Sequence, residues 1–235
     1  MKQSRGWLSR WAWRSAKIVL SLLVLYQVWL FAHICWWVKY NPSSSAFMDT
    51  RLEIMQDKNP DAELRQKWVP YAKISDNLKR ALVAAEDEKF VDHEGFDWEG
   101  IQKAYVKNIR KGRIVAGGST ISQQLAKNLF LSTRRTPWRK LEEAAITVML
   151  EAVMDKQRIF EIYLNVIEWG NGVFGAEAAA RHYFHVSAAQ LSVDQAAKLA
   201  AMVPNPRYYD KHREARGLLL KTDIIMSRMN DAEIP

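Results

Sequence analysis

At 235 residues, with 49% hydrophobic and 26% charged residues, the chain can build one ordinary domain with a packed core plus an extra segment, and its composition argues against wholesale disorder. A single cysteine, Cys35, excludes an internal disulfide framework and a cysteine-based zinc site. The net charge of +8 does not point to nucleic acid: Lys2, Arg5, Arg10, Arg14 and Lys17 precede the first apolar stretch with no acid among them, and without them roughly +3 remains.

Residues 1–17 form this basic segment, and residues 18–38 follow without Asp, Glu, Lys or Arg. As a helix that run spans about 31 Å, close to the hydrocarbon thickness of a bilayer. Trp36 and Trp37 stand where an interfacial aromatic belt belongs, and the basic head predicts a cytoplasmic N-terminus. Cleaved signal peptides have shorter apolar cores that end in small residues, and His33-Ile34-Cys35-Trp36 is a poor cleavage site. The segment therefore reads as a retained, single-pass anchor, with the remainder outside the cytoplasm. Residues 39–70 read as a linker, around Asn41-Pro42-Ser43-Ser44-Ser45, and a weakly patterned membrane-proximal segment.

Over residues 71–235 the pattern is predominantly helical. Leu78, Ala81, Leu82 and Ala85 give the apolar face of a helix ending near Glu86 to Phe90. Asp97 caps a second, with Trp98, Ile101, Tyr105 and Ile109 expected inward and Gly112 as its stop. Ser119 is the expected N-cap of a helix carrying Ile121, Leu125 and Leu129. Thr136-Pro137 opens another, and Asp155 begins one running to about Trp169. Ser187 and Ser192 each head a capping box with Gln190 and Gln195, and Pro204 and Pro206 end the alanine-rich helix after the second. No alternating strand series and no repeat is visible. The expected fold class is mainly α.

Gly170 to Gly175 matches the dinucleotide fingerprint, but its flanks read as helical and no βαβ unit surrounds it. A glycine-rich connection between helices is the preferred reading. His182 and His185 lack the spacing of a zinc-protease helix and read as surface or packing residues.

Four segments carry chemistry. In Glu86-Asp87-Glu88-Lys89-Phe90-Val91-Asp92-His93-Glu94-Gly95, Glu86 follows an apolar helical face, and a carboxylate with partly apolar walls gains a raised pKa and can serve as base or acid. Gly117-Gly118-Ser119-Thr120-Ile121-Ser122-Gln123-Gln124 leads into a helix N-terminus whose N–H groups and hydroxyls suit phosphate oxygens, with Lys127 two turns on; a hinge before an amphipathic helix explains the same residues. Arg139-Lys140-Leu141-Glu142-Glu143 supplies adjacent cations, or a plain i,i+4 ion pair. Lys156 to Asn165 combines charge with aromatics, and most of its members read as packing residues.

Together these segments resemble the peptidoglycan glycosyltransferases of family 51, whose patterns E-D-x-x-F-x-x-H-x-G, G-G-S-T-I-x-Q-Q, R-K-x-x-E and K-x-x-I-x-E-x-Y-L-N occur here in order. The resemblance covers roughly residues 70–206. It implies a lysozyme-like helical domain with a smaller, mobile membrane-proximal lobe, lipid II as substrate, undecaprenyl diphosphate as leaving group and a β-1,4-linked glycan as product. Ser-x-x-Lys and Lys-Thr-Gly, which the fused transpeptidases need, are missing, so the chain looks like the monofunctional type. By resemblance Glu86 is the base for the acceptor 4-OH and Glu143 the second essential glutamate. Lys103, Ser119, Lys127, Arg139 and Lys140 would line the diphosphate region, while Thr120, Gln123, Gln124 and Asn128 would bind or support the substrate. No cofactor is required on this reading; a divalent cation, Mg or Mn, is the one addition it leaves room for. The implied partners are lipid II, the growing strand, the membrane and cell-division or wall-synthesis proteins, at the bacterial cytoplasmic membrane with a periplasmic catalytic domain.

Two alternatives stay open at this point. A lysozyme-like glycan-cleaving enzyme would use Glu86 as an acid and has little need of three clustered cations. A silent anchored protein that only binds wall precursor would not need Glu86 and Glu143.

Overall fold

Ser4–Lys39 forms one helix, α1, and within it Arg10–Lys39 is long and apolar enough to cross a membrane, its most apolar 18-residue stretch having a mean hydropathy of 2.1. The expected span of residues 18–38 lies inside it. The structure is a computed structural model that describes residues 4–113, 115, 117–131 and 136–235, with side chains from Arg10 onward. Lys2 and the Arg5 side chain, part of the basic head read above, lie outside the described residues. By contacts the chain divides into two units, Met1–Tyr40 and Asn41–Pro235.

Residues 41–70 belong to the second unit. Ser45 caps α2 (Ala46–Gln56) by accepting from the Met48 N–H, and β1 (Arg65–Gln66) joins a sheet. The helices that follow are α3 (Asp76–Glu86), α4 (Trp98–Lys111), α5 (Ile121–Phe130), α6 (Pro137–Val153) and α7 (Lys156–Val166). A hairpin of β2 (Glu168–Gly170) and β3 (Val173–Phe174) leads into α8 (Ala176–Phe184), then α9 (Val193–Met202), α10 (Pro206–Lys211) and α11 (Arg216–Arg228). The mainly α class holds.

The core forms where α5 packs on α6 and α7, and where α9 packs on α3 and α11. Ile121, Leu125, Ile146, Leu150, Phe160 and Tyr163 are fully buried in the first group. In the second, Ala196, Ala197, Ala200 and Ala201 let α9 approach Leu78 and Leu82 of α3 closely, which is why that helix is rich in alanine.

Local chemistry sets the helix ends. Asp97, Thr136, Asp155 and Ser192 cap as expected, Gly112 closes α4 in the left-handed region, and Pro137 sits in the first turn of α6. One cap differs. Thr120, not Ser119, caps α5, because Thr120 and Gln123 form a reciprocal capping box that satisfies two otherwise orphaned N–H groups.

Two further expectations are overturned. The Asp155 helix stops at Val166, and Trp169 lies in a strand, fully buried. The glycine-rich segment is thus a hairpin in a three-stranded sheet of order β1-β3-β2, with β1 parallel and β2 antiparallel to β3. Gly175 is required where the hairpin turns into α8: its φ is +80°, and a Cβ there would lie 2.7 Å from the Asn165 carbonyl oxygen. The second correction concerns α4, where Trp98, Tyr105 and Ile109 are 72%, 66% and 62% exposed instead of inward. Ala104 is the residue this helix buries, and its large apolar stripe faces out.

Candidate active site

α3 ends at Glu86, and the loop after it is stitched to the start of α5. Asp87 is buried; its Oδ2 accepts the Ile121 N–H at 2.9 Å, and its Oδ1 lies 2.9 Å from His93 Nε2. The Thr120 hydroxyl donates to the Gly95 carbonyl at 2.7 Å. Gly118 completes the junction, since a Cβ there would meet the Ile101 Cα of α4 at 2.9 Å. The E-D-x-x-F-x-x-H-x-G and G-G-S-T-I-x-Q-Q segments are therefore one structural unit.

That unit fixes Glu86. Tyr163 of α7 is fully buried, and burial pushes its phenol well above the usual range, so it remains a donor. It donates to Gln124 Oε1 at 3.0 Å, which turns the amide nitrogen toward Glu86, where Nε2 donates to Oε2 at 2.8 Å. Lys221 of α11 places its ammonium 3.9 Å from Oε1. Burial raises the Glu86 pKa, against the Gln124 bond and the charges of Lys221 and Lys127, while Asp87 adds to the rise. Glu86 is thus a carboxylate with increased appetite for a proton.

Beside Gln124 opens a cavity of about 430 Å³. Ser119, Gln123, Gln124, Lys127 and Asn128 line it from the α5 side, and Arg139, Lys140 and Glu143 from α6. Lys140 donates to Glu143, and Arg139 Nη1 lies 3.5 Å from its other oxygen. Burial lowers the Lys127 pKa, as do the neighbouring Arg139 and Lys140 charges, while Glu143 and Glu86 oppose the fall. The result is three cations around one carboxylate, a surplus suited to an anion of more than one charge. Both Glu143 oxygens face these cations, and no group of three or more His, Cys, Asp or Glu able to hold a metal occurs among the described residues. Glu143 here serves its cationic neighbours, and a divalent cation at the diphosphate would draw its remaining ligands from the substrate's own phosphate oxygens.

Not every expected residue lines the cavity: Glu86 adjoins it through Gln124 and is not itself part of the lining. Thr120 is buried as the α5 cap and acts through position. Lys103 lies elsewhere, 71% exposed on α4 and paired with Glu99 at 2.6 Å. Apart from Tyr163, which orients Gln124, the fourth segment holds the frame: Asn165 clamps Val69 by donating to its carbonyl at 3.0 Å and accepting its N–H at 2.9 Å, and Lys156 pairs with Glu151 at 2.8 Å. His182 is likewise a packing residue, between Arg65 and Asp210.

Other residues escaped the sequence reading. The Phe47 ring of α2 has its centroid 5.6 Å from the Lys127 ammonium and lines the cavity, as do Glu168, Val203 and Arg207. Asp87 was legible only as a member of its motif, and Lys221 and Arg207 carry no local signal at all.

Over residues 53–230 the chain matches the Transglycosylase family. It is 71% identical over 223 residues to a biosynthetic peptidoglycan transglycosylase of Methylobacillus flagellatus, covering 95% of this chain and 97% of that protein. Proteins of the same description from Laribacter hongkongensis and Chromobacterium violaceum are 68% and 64% identical, covering 96% and 97% of this chain and 99% and 100% of theirs.

Proposed function

The chain belongs to the Transglycosylase family as a peptidoglycan glycosyltransferase of lysozyme-like helical fold, and from that premise we propose that it polymerises lipid II into β-1,4-linked glycan, releasing undecaprenyl diphosphate. Glu86 takes the proton from the acceptor 4-OH as that oxygen attacks the donor anomeric carbon. Lys127, Arg139 and Lys140 hold the departing diphosphate and need not protonate it, because a diphosphate leaves as an anion. Direct attack inverts the α-linked donor carbon to β. Glu143 sets the geometry of Arg139 and Lys140, and Gln123, Gln124, Asn128 and Ser119 present polar groups to the sugars and phosphates. The reaction calls for no organic cofactor.

One observation carries this reading: a single helix joins the two halves of the chemistry. Gln124 holds Glu86, and Lys127, about one turn further along α5, stands among the cations. A cleaving enzyme requires an acid and a nucleophile or water-activating base, whereas here a proton acceptor adjoins a cationic diphosphate cradle.

The apolar helix within α1 anchors the chain in the bacterial cytoplasmic membrane, with the basic head inside and the catalytic unit outside. The exposed apolar stripe of α4 supports a membrane-facing role for that helix. To test the function, full-length protein in detergent is mixed separately with lipid II and with finished, uncrosslinked glycan. Polymer should form from the first and the second should keep its length; shortening of finished glycan without polymerisation would overturn the proposal.

A further inference from the structure

A second cavity, of about 720 Å³, opens between α2 and α10 and shares Arg207 with the reaction cavity. Its walls are cationic. Arg51 and Lys58 line it from α2 and the turn after it, and Arg207 and Lys211 from α10, with His212 just beyond; no lining residue among those described is Asp or Glu.

This is not the mixed charge of an ordinary solvated surface, because each wall turns its acids away. On α2 the cleft receives the stripe of Arg51, Met55 and Lys58, while Asp49, Glu53 and Asp57 line a different groove. On α10, Asp210 turns from the cleft to accept from Tyr183 at 3.0 Å and from the Asn171 N–H at 3.1 Å. Glu168 lies between the two guanidinium groups, 3.3 Å from Arg51 and 3.6 Å from Arg207, so one carboxylate serves two cations. Lys58 and Lys211 are exposed and pair with no carboxylate among the described residues. A concave surface of one sign concentrates field and attracts the opposite charge.

We propose that this cleft is a subsite for the peptide carried by the precursor sugar, with its basic walls receiving the peptide carboxylates. The inference rests on the lipid II reading above and extends it. A substituent on a sugar held in the reaction cavity must leave that cavity, and Arg207 borders both spaces. The Tyr208 and His212 rings, stacked at 4.3 Å, add a flat surface beside the cations for the peptide backbone.

The test uses full-length protein and two lipid-linked disaccharide substrates, one with the free-carboxylate peptide and one with the peptide removed. Lys58→Ala/Lys211→Ala should raise KM for the peptide-bearing substrate about tenfold with kcat little changed, and leave KM for the peptide-free substrate in place. Because both lysines are exposed, the melting temperature should be unaltered, and Lys58→Arg/Lys211→Arg should restore KM. An equal rise on both substrates, or no rise on either, overturns the subsite. A loss confined to anionic vesicles and shared by both substrates would overturn it too, assigning the cleft to lipid headgroups. If the unaltered protein polymerises neither substrate, the lipid II reading falls first, an outcome separate from loss of the subsite alone.

Discussion

Replacing Asp87 by alanine removes the carboxylate that joins the loop after α3 to the first turn of α5. Two partners lose their acceptor in a buried setting: the Ile121 N–H and His93 Nε2, both at 2.9 Å. At about 1.5–3 kcal/mol for each hydrogen bond to a charged group, the change costs roughly 3–6 kcal/mol. For a unit of this size each kcal/mol moves the melting temperature by about 2–4 °C, so a fall of about 10 °C is expected. Asp87→Asn should lose about half as much, because its oxygen keeps the Ile121 bond and its amide can donate to His93 if that ring moves its proton to Nδ1, which has no hydrogen-bond partner among the described residues. The assay is thermal melting of the full-length protein in detergent beside lipid II turnover well below the transition. Turnover should fall in the folded alanine variant, since the Asp87 tie sets where Glu86, at the end of α3, meets Gln124 of α5. Wild-type melting of Asp87→Ala would refute the stitching argument, and a low melting temperature with unchanged turnover would confine it to stability.

Glu86→Gln should melt higher than the wild type at neutral pH. A carboxyl whose folded pKa is raised stabilises the fold below its unfolded pKa and loses that contribution as pH rises through the folded value, so removing the charge relieves a cost; equal melting across pH 4–8 would contradict this. Lys221→Met should move the acidic limb of kcat/KM to higher pH, because Lys221 favours the ionised base, whereas Lys221→Arg should leave the limb in place; Gln124, Lys127, Asp87 and Tyr163 are the other groups facing Glu86, and an unmoved profile would show that the 3.9 Å pair is electrostatically idle. Trp98→Ser/Tyr105→Ser/Ile109→Ser should keep the melting temperature, since all three side chains are exposed, and weaken turnover in vesicles more than in detergent; equal loss in both would place the stripe against protein.

Much of the helical framework was legible because caps are local. Asp97, Thr136-Pro137, Asp155 and Ser192 announce helix starts through groups within three residues of themselves. The α5 cap was misplaced by one residue because Ser119 and Thr120 are both good caps, and only the Thr120–Gln123 reciprocity separates them. Strands of two or three residues, such as β1 and β3, are too short for a period to show. Periodicity also does not say which medium an apolar face meets: the stripe of α4 has the spacing of a core face and turns outward. In the candidate site, Glu86, Gln124, Lys127, Arg139, Lys140 and Glu143 stand in contiguous motifs, whereas Phe47, Glu168, Arg207 and Lys221 arrive by tertiary packing from distant parts of the chain. Lys103 shows the converse, a lysine near the motifs in sequence that pairs with Glu99 on α4 instead of lining the cavity.

Turnover of purified lipid II by the full-length protein and its Glu86→Gln variant, measured side by side with lipid II binding, tests the role of Glu86 most directly. Glutamine keeps the shape and one acceptor oxygen but cannot take the acceptor's proton, so turnover should fall by about 10²–10⁴ while binding persists. Asp92→Asn and Glu94→Gln, from the same loop, should stay near wild type. A folded Glu86→Gln protein that polymerises lipid II at close to the wild-type rate would contradict the assignment of Glu86 as the base.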